Sequence, residues 1–388
     1  MHGLWTLSWR HLAHHRVQSA ITITCIALAV FLPVTVHSLI DDYNRQLIAR
    51  ARATPLLAGA KGNRFDLTLS ALYFRRSGLD PIPWSELQQL QASGLGQMIP
   101  LHARFTARGH TILGTSPEYY ELRGLHAARG QLPLRLGDAT LGASVARQLA
   151  LEPGDTLFSD PTDLYDLSKS PALELHVRGV LPVTGTADDL AVFVDVKTCW
   201  ILEGVAHGHA APEQIASEMD LGRTAKVVNV SPALRSYQEV TDDNVASFHY
   251  HGDGDALPLS AIIAIPNDTK SATLLLARMA ASREWQMVVP TTVIHDLMEF
   301  VFRIRALFDT FAALLAVTTV LLLGLQIALS MRLRAREMLT LNRIGCSRHV
   351  VVGLHAMEVA LLVAAGIALA AAGSWLARWI LPDLLRAL

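Results

Sequence analysis

Residues Val17–Ile40, VQSAITITCIALAVFLPVTVHSLI, form an apolar run without a single charged side chain. At ~1.5 Å per residue a helix of that length reaches about 36 Å, enough to cross a ~30 Å hydrocarbon core. The run is longer than the ~7–15 apolar residues of a secretory leader, so it reads as a retained anchor, with Pro33 near its outer end. Two more apolar runs follow late in the chain, Ala306–Ser330 and Val350–Ile380, the last long enough to need tilt. Charged residues make up only 17% of the 388-residue chain, and the deficit is concentrated in these three runs. A wholly soluble enzyme and an all-membrane bundle are both excluded. A formal net charge of −1 gives no basic signature, so no nucleic acid is expected as a partner.

Arginine placement orients the spans. The leader carries Arg10 and Arg16 with no acid, and the link after the second run carries Arg332, Arg334, Arg336, Arg343 and Arg348 against Glu337. Both are expected in the cytoplasm, which sends the long middle stretch outside. The organisation read from the sequence is a cytoplasmic amphipathic leader over 1–16, span 1 over 17–40, an extracytoplasmic domain over 41–305, span 2 over 306–330, a cytoplasmic coupling segment over 331–349, span 3 over 350–380 and an external tail over 381–388. Cys25, Cys199 and Cys346 then fall in three different compartments, so no intrachain disulfide is expected.

The middle stretch mixes element types. Leu141–Leu157 reads as a short helix followed by a Pro153–Gly154–Asp155 turn into a strand. Leu173–Leu181 alternates apolar with polar residues as a half-buried strand does, and Ala191–Val196 and Pro258–Pro266 read as further strands. Ser271–Trp285 reads as a helix with Ser271 as its N-cap. The fold class is a membrane protein with three transmembrane α-helices and a large α+β extracytoplasmic domain between spans 1 and 2. The sequence has no GxxxxGK[ST] loop, GxSxG elbow, HExxH helix or CxxC pair, which leaves little basis for catalysis by the chain itself.

The stretch REMLTLNRIGCSRHVVVGLHAMEVALL, Arg336–Leu362, resembles the motif of FtsX-like permeases of the MacB and LolC/LolE type. Arg336, Glu337, Leu341, Ile344, Gly345, Ser347 and Arg348 fall on its positions, and Glu358 on the acid early in the next helix. The leader, with Trp5, Trp9 and Leu12 on one face, is similar to the family's entry helix. LGASVARQLALEPGDTL and VRGVLPVTGTADDLAVFVD resemble stretches of its extracytoplasmic domain. Three apolar runs stand against the four spans the family normally carries.

The resemblance implies a permease subunit of an ABC transporter in a bacterial inner membrane, dimeric, with its N-terminus cytoplasmic and its large domain periplasmic. It would couple ATP hydrolysis by a separate ATPase subunit, which holds ATP and magnesium, to movements of that domain. Its cargo would be a lipoprotein, peptide, drug or metal-linked molecule, with a periplasmic adaptor, lipoprotein or binding protein as a further partner and membrane lipid around the spans. The alternatives are an FtsX-like regulator that activates an external hydrolase, and a zinc-linked transport or sensing component. The zinc reading comes from AHGHA and FHYHGDGD, which supply His207, His209, His249, His251, Asp253 and Asp255. On a strand, residues i and i+2 share a face, so each His-x-His can offer two imidazoles to one ion. Two solvated loops would explain the same residues. Asp309, His355 and Glu358, acidic or titratable groups within apolar runs, suggest either a proton relay or structural pairing.

Overall fold

The computed structural model describes residues 2–75, 78–161, 172–208, 220–223, 228–230, 237–250, 253–333 and 348–387. The chain divides into two compact units, Met1–Arg45 with Met298–Leu388, and Gln46–Leu297. Helix α1 (His2–His14) is followed after His15 by α2 (Arg16–Arg52). At 37 residues α2 is about 55 Å long, well beyond what the apolar run needs. The helix therefore does not stop where the apolar run stops. Beyond Ile40 it becomes amphipathic, with Leu47 and Ala51 buried four residues apart.

The second unit is built on a mixed sheet. In chain order its elements are β1 (Leu56–Ala60), α3 (Arg64–Tyr73), β2 (Ile82–Pro83), α4 (Trp84–Ala92), β3 (Gly96–Ala107), β4 (His110–Thr115), α5 (Pro117–Arg123), β5 (Arg129–Gly130) and β6 (Asp138–Leu141). There follow α6 (Ala143–Leu149), β7 (Thr156–Phe158), β8 (Glu174–Val180), β9 (Ala191–Asp195), α7 (Val196–Glu203) and β10 (Ala206–His207). The remainder are β11 (Asp220–Arg223), β12 (Val228–Val230), β13 (His249–Tyr250), β14 (Pro258–Leu259), β15 (Ala261–Pro266), α8 (Thr269–Ala280) and β16 (Trp285–Val288). Ten strands form the main sheet in the order β16-β1-β15-β3-β4-β9-β6-β8-β5, with β7 paired to β8. The β4–β9 and β6–β8 pairs are parallel and the others antiparallel.

Both faces of this sheet are covered, and the period of two shows it. Along β15, Ala261 and Ile263 enter one core cluster with Leu57, Phe193 and Tyr119, while Ile262 and Ala264 enter another with Leu87, Leu90 and Leu275. Along β9, Val192 and Val194 enter a third cluster with Val145, Val177 and Cys199. In β8, Leu175 and Val177 are buried, whereas Arg178 is exposed.

Two boundaries differ from the sequence reading. Helix α8 spans Thr269–Ala280, and its N-cap is Asp268, whose Oδ1 accepts from Ser271 N at 2.7 Å. Ser271 is thus the capped residue. The helix also stops short of Trp285, because Ser282 Oγ accepts from Trp285 N at 3.0 Å and turns the chain into β16. The stretch Pro258–Pro266 is two strands separated by Ser260, whose Oγ accepts from Ala103 N at 3.0 Å.

The first unit is completed by α9 (Pro290–Leu333), which enters it at Met298, and α10 (Arg348–Ala387). Its α9 portion exposes Leu307, Phe311, Leu314, Leu321 and Leu325, as a helix that faces lipid does. Among the described residues, three helices, α2, α9 and α10, are long and apolar enough to cross a membrane.

Candidate functional site

In the first unit, side-chain pairs define how the helices meet. Helices α2 and α9 run antiparallel: Thr22 Oγ1 donates to Gln326 Oε1 at 2.7 Å, His37 Nε2 lies 3.3 Å from Asp309 Oδ1, and Arg305 Nη1 lies 2.9 Å from Asp41 Oδ1. One turn forward on α2 is one turn back on α9, so the last two pairs are successive rungs of a charge ladder. His37 Nδ1 also lies 2.9 Å from Pro33 O, so both ring nitrogens face acceptor oxygens. Asp309 therefore pairs between helices and is not an isolated intramembrane acid.

Helices α2 and α10 run parallel, and small residues bring them close. A Cβ on Gly366 would stand 2.6 Å from Ile26 Cγ2, and Thr35 Oγ1 meets Ser374 Oγ at 3.1 Å. Close backbone approach of this kind drives helix association where lipid offers no hydrophobic gain. Gly366→Leu is expected to cost about 1–3 kcal/mol by overpacking. Gly324→Leu, at a glycine with open space around it, should be close to neutral. Thermal melts of the two variants in one detergent check the contrast.

At the other end of this unit, α1 packs on the start of α10. Ser8 Oγ donates to Leu354 O at 3.4 Å, and Glu358 is 8% exposed between His355 Nδ1 at 3.2 Å and His11 Nε2 at 4.0 Å. Glu358 thus joins the entry helix to α10, and His11 is a partner that local spacing did not reveal. Of the coupling residues, Arg348 begins α10, whereas Arg336, Glu337, Leu341, Ile344, Gly345 and Ser347 lie outside the described residues, as does Cys346.

The second unit holds a buried ionic joint at the end of α2. The Arg50 guanidinium grips Asp188 through Nη1–Oδ2 at 2.6 Å and Nη2–Oδ1 at 2.9 Å. Its Nη2 also donates to Tyr119 OH at 2.9 Å, and its Nε to Leu72 O. Tyr119 OH donates to Asp188 Oδ1 at 2.7 Å and Thr186 Oγ1 to Asp188 Oδ2 at 3.0 Å. The Phe74 ring lies 5.3 Å from the guanidinium carbon. Burial alone would raise the Asp188 carboxyl, but hydrogen bonds and charge from Arg50 outweigh it and hold Asp188 below the usual carboxylate range. Burial pushes the Tyr119 phenol up to about 12, so it remains a donor.

The histidine motifs also fall in this unit. His207 on β10 and His249 on β13 stand directly opposite each other, with ring centres 5.0 Å apart. His209 and His251 lie outside the described residues. Asp253 Oδ1 accepts from Asp255 N at 3.0 Å in a short 3-10 turn. Among the described residues, no three His, Cys, Asp or Glu side chains converge as a metal-ligand group.

Comparison with known proteins fits this anatomy. Residues 19–244 match the model of a MacB-like periplasmic core domain, and residues 310–387 that of an FtsX-like permease C-terminal region. Curated proteins give no match. Among solved structures, the periplasmic region of MacB from Actinobacillus actinomycetemcomitans is similar at 12% identity and a TM-score of 0.37, over 65% of this chain and 97% of that one. The extracellular domain of the ABC-type transporter YknZ from Gram-positive bacteria is similar at 12% identity and a TM-score of 0.33, over 61% and 99%. The first family model alone takes in more than half of the 388 residues, and with the second it places the chain in the FtsX/MacB-type family of ABC transporter permeases.

Proposed function

We propose that this permease converts ATP hydrolysis by a separate ATPase subunit into movement of its periplasmic domain. It works in the bacterial inner membrane as a dimer, with the N-terminus and the segment 331–349 in the cytoplasm. Its cargo is a lipoprotein, a peptide, a drug or a metal-linked molecule. The observation that carries this reading is α2, one unbroken helix from Arg16 to Arg52 whose last turn is fixed by the Arg50–Asp188 fork. A lever needs such a joint, since a frayed helix end would absorb displacement as local unfolding.

The ATPase partner docks on Arg336, Glu337, Leu341, Ile344, Gly345, Ser347 and Arg348. Arg336 and Glu337 offer that partner a pair of opposite charges. Hydrolysis then takes place on the partner, with ATP and magnesium bound there. Exchanging the two charges, Arg336→Glu with Glu337→Arg, is expected to abolish stimulation of the co-purified ATPase in proteoliposomes while membrane insertion persists. Undiminished stimulation in the inserted variant would reject the docking role.

A further inference from the structure

We propose that the groove between the start of α2 and the end of α9 holds one acidic phospholipid of the cytoplasmic leaflet. Two cavities make up this groove. The outer one, about 500 Å³, is lined by His14, His15, Arg16 and Val17. The inner one, about 230 Å³, is lined by Cys25, Thr319, Leu322 and Leu329. Gln18, Ile21, Thr22 and Gln326 line both, so the two are continuous.

Depth and polarity both fit one lipid. From Arg16 to Cys25 along α2 is about 14 Å at ~1.5 Å per residue. That is close to half of a ~30 Å hydrocarbon core, the depth that an acyl chain of one leaflet occupies. Along the same axis the lining changes from Arg16 and the two histidines at the mouth, through the Thr22–Gln326 pair at the join, to leucines below.

Charge selects the headgroup. The Thr22–Gln326 pair fixes the antiparallel register, in which Arg16 lies six residues before Thr22 and Arg332 six residues after Gln326. The two arginines therefore lie at the same level, and both are exposed. Neither helix carries an acid near that level: Asp41 is the first acid in the chain, and α9 has none after Asp309. Glu358, on α10, is engaged by His355 and His11. A phosphodiester with net negative charge supplies a counter-charge, and arginine binds phosphate oxygens through two parallel N–H groups. The choline of a zwitterionic lipid would instead add a cation to the site. A groove between spans with a basic mouth is the arrangement that takes acidic headgroups. The inference rests on the proposed orientation only for the leaflet that supplies the lipid, and not on ATPase coupling.

The test uses the full-length chain in detergent, with phosphatidylglycerol and phosphatidylcholine of identical acyl chains added in equal amounts. Native mass spectrometry counts the lipid retained. One phosphatidylglycerol per chain is expected, at least about fivefold over phosphatidylcholine, and Arg16→Gln should lower that ratio about fivefold. Excess inorganic phosphate should not displace the lipid, because the acyl chain holds it as well. A phosphatidylglycerol with a photoactivatable acyl chain should label the lining of the inner cavity in the wild-type chain, a result that needs no variant to fold. Retention is read without the ATPase and without a leaflet, so its failure and a failure of coupling or orientation are separate results. Equal retention of the two lipids, an undiminished ratio in Arg16→Gln, displacement by phosphate, label confined to other surfaces, or a second copy cross-linked in the groove in place of lipid would each overturn the proposal.

Discussion

Arg50→Met is expected to destabilise the periplasmic domain by about 3–5 kcal/mol, the cost of leaving one partner of a buried ion pair uncompensated. Asp188 is 2% exposed and keeps the hydrogen bonds from Tyr119 and Thr186, with the charge of Arg123 acting on it, once the guanidinium is gone. Asp188→Asn should also be costly, because the amide can still accept from Arg50 but leaves the buried guanidinium without its counter-charge. A cycle with Arg50→Met/Asp188→Leu separates the penalty of a stranded charge from the net worth of the pair. That double variant should recover part of the loss, since an apolar pair of similar volume removes both charges together. Urea melts of the full-length chain, followed through domain tryptophan fluorescence, measure all four corners. A loss below about 1 kcal/mol for Arg50→Met would mean that the joint is not structural.

The same joint sets a pH window. Because Asp188 is held below the ordinary carboxylate range, its contribution is fully present above the unfolded-state value near ~3.9. It falls away as pH drops through the lower folded-state value. Glu203 behaves alike: burial opposes its charge, but His102 at 3.2 Å and Arg104 at 3.0 Å hold it low. The domain should therefore keep these terms at mildly acidic pH and lose them only below about pH 4. Asp188→Asn should flatten that part of the curve.

What the sequence revealed follows the physics of range. The apolar runs, the alternation of β8 and the short apolar stretch of β9 are signals confined to a few neighbouring residues, and they could be read directly. Charge placement marked Asp41 as the edge of the membrane, yet the packing edge lies at Gln46, because α2 continues as an amphipathic helix whose Leu47 and Ala51 were not part of the apolar run. The ladder of His37, Asp41, Arg305 and Asp309 was invisible for another reason. Of the four, Asp309 alone stood out within its apolar run, and only the antiparallel register makes them rungs. Arg50, Tyr119 and Asp188 carry no local spacing that links them. The nearest hint was the Thr-Gly-Thr-Ala-Asp-Asp turn in the second family-like stretch, a composition that favours side-chain-to-backbone hydrogen bonds. The two histidine motifs were legible as ligand types, but their facing register became visible only in the fold.

Gly142→Ala tests the joint from its other side. Gly142 opens α6 with an ordinary φ of −63°, so alanine brings no backbone strain there. The added methyl would stand 2.3 Å from Asp188 O and 2.6 Å from Asp189 O. These are backbone atoms of a turn already fixed by Asp189, whose carboxylate accepts from Thr184 N at 2.9 Å and Gly185 N at 2.8 Å. A turn held in that way cannot yield by a side-chain rotation, so it has to move as a unit and carry Asp188 with it. The expected loss is about 1–3 kcal/mol, with the upper end favoured because backbone rather than side chain is struck. Combining Gly142→Ala with Arg50→Met should cost less than the two single losses added, since the displaced turn has already weakened the fork that methionine removes. Strict additivity in the urea melts would show that the turn and the fork are independent, and that α6 contributes nothing to how firmly α2 is held.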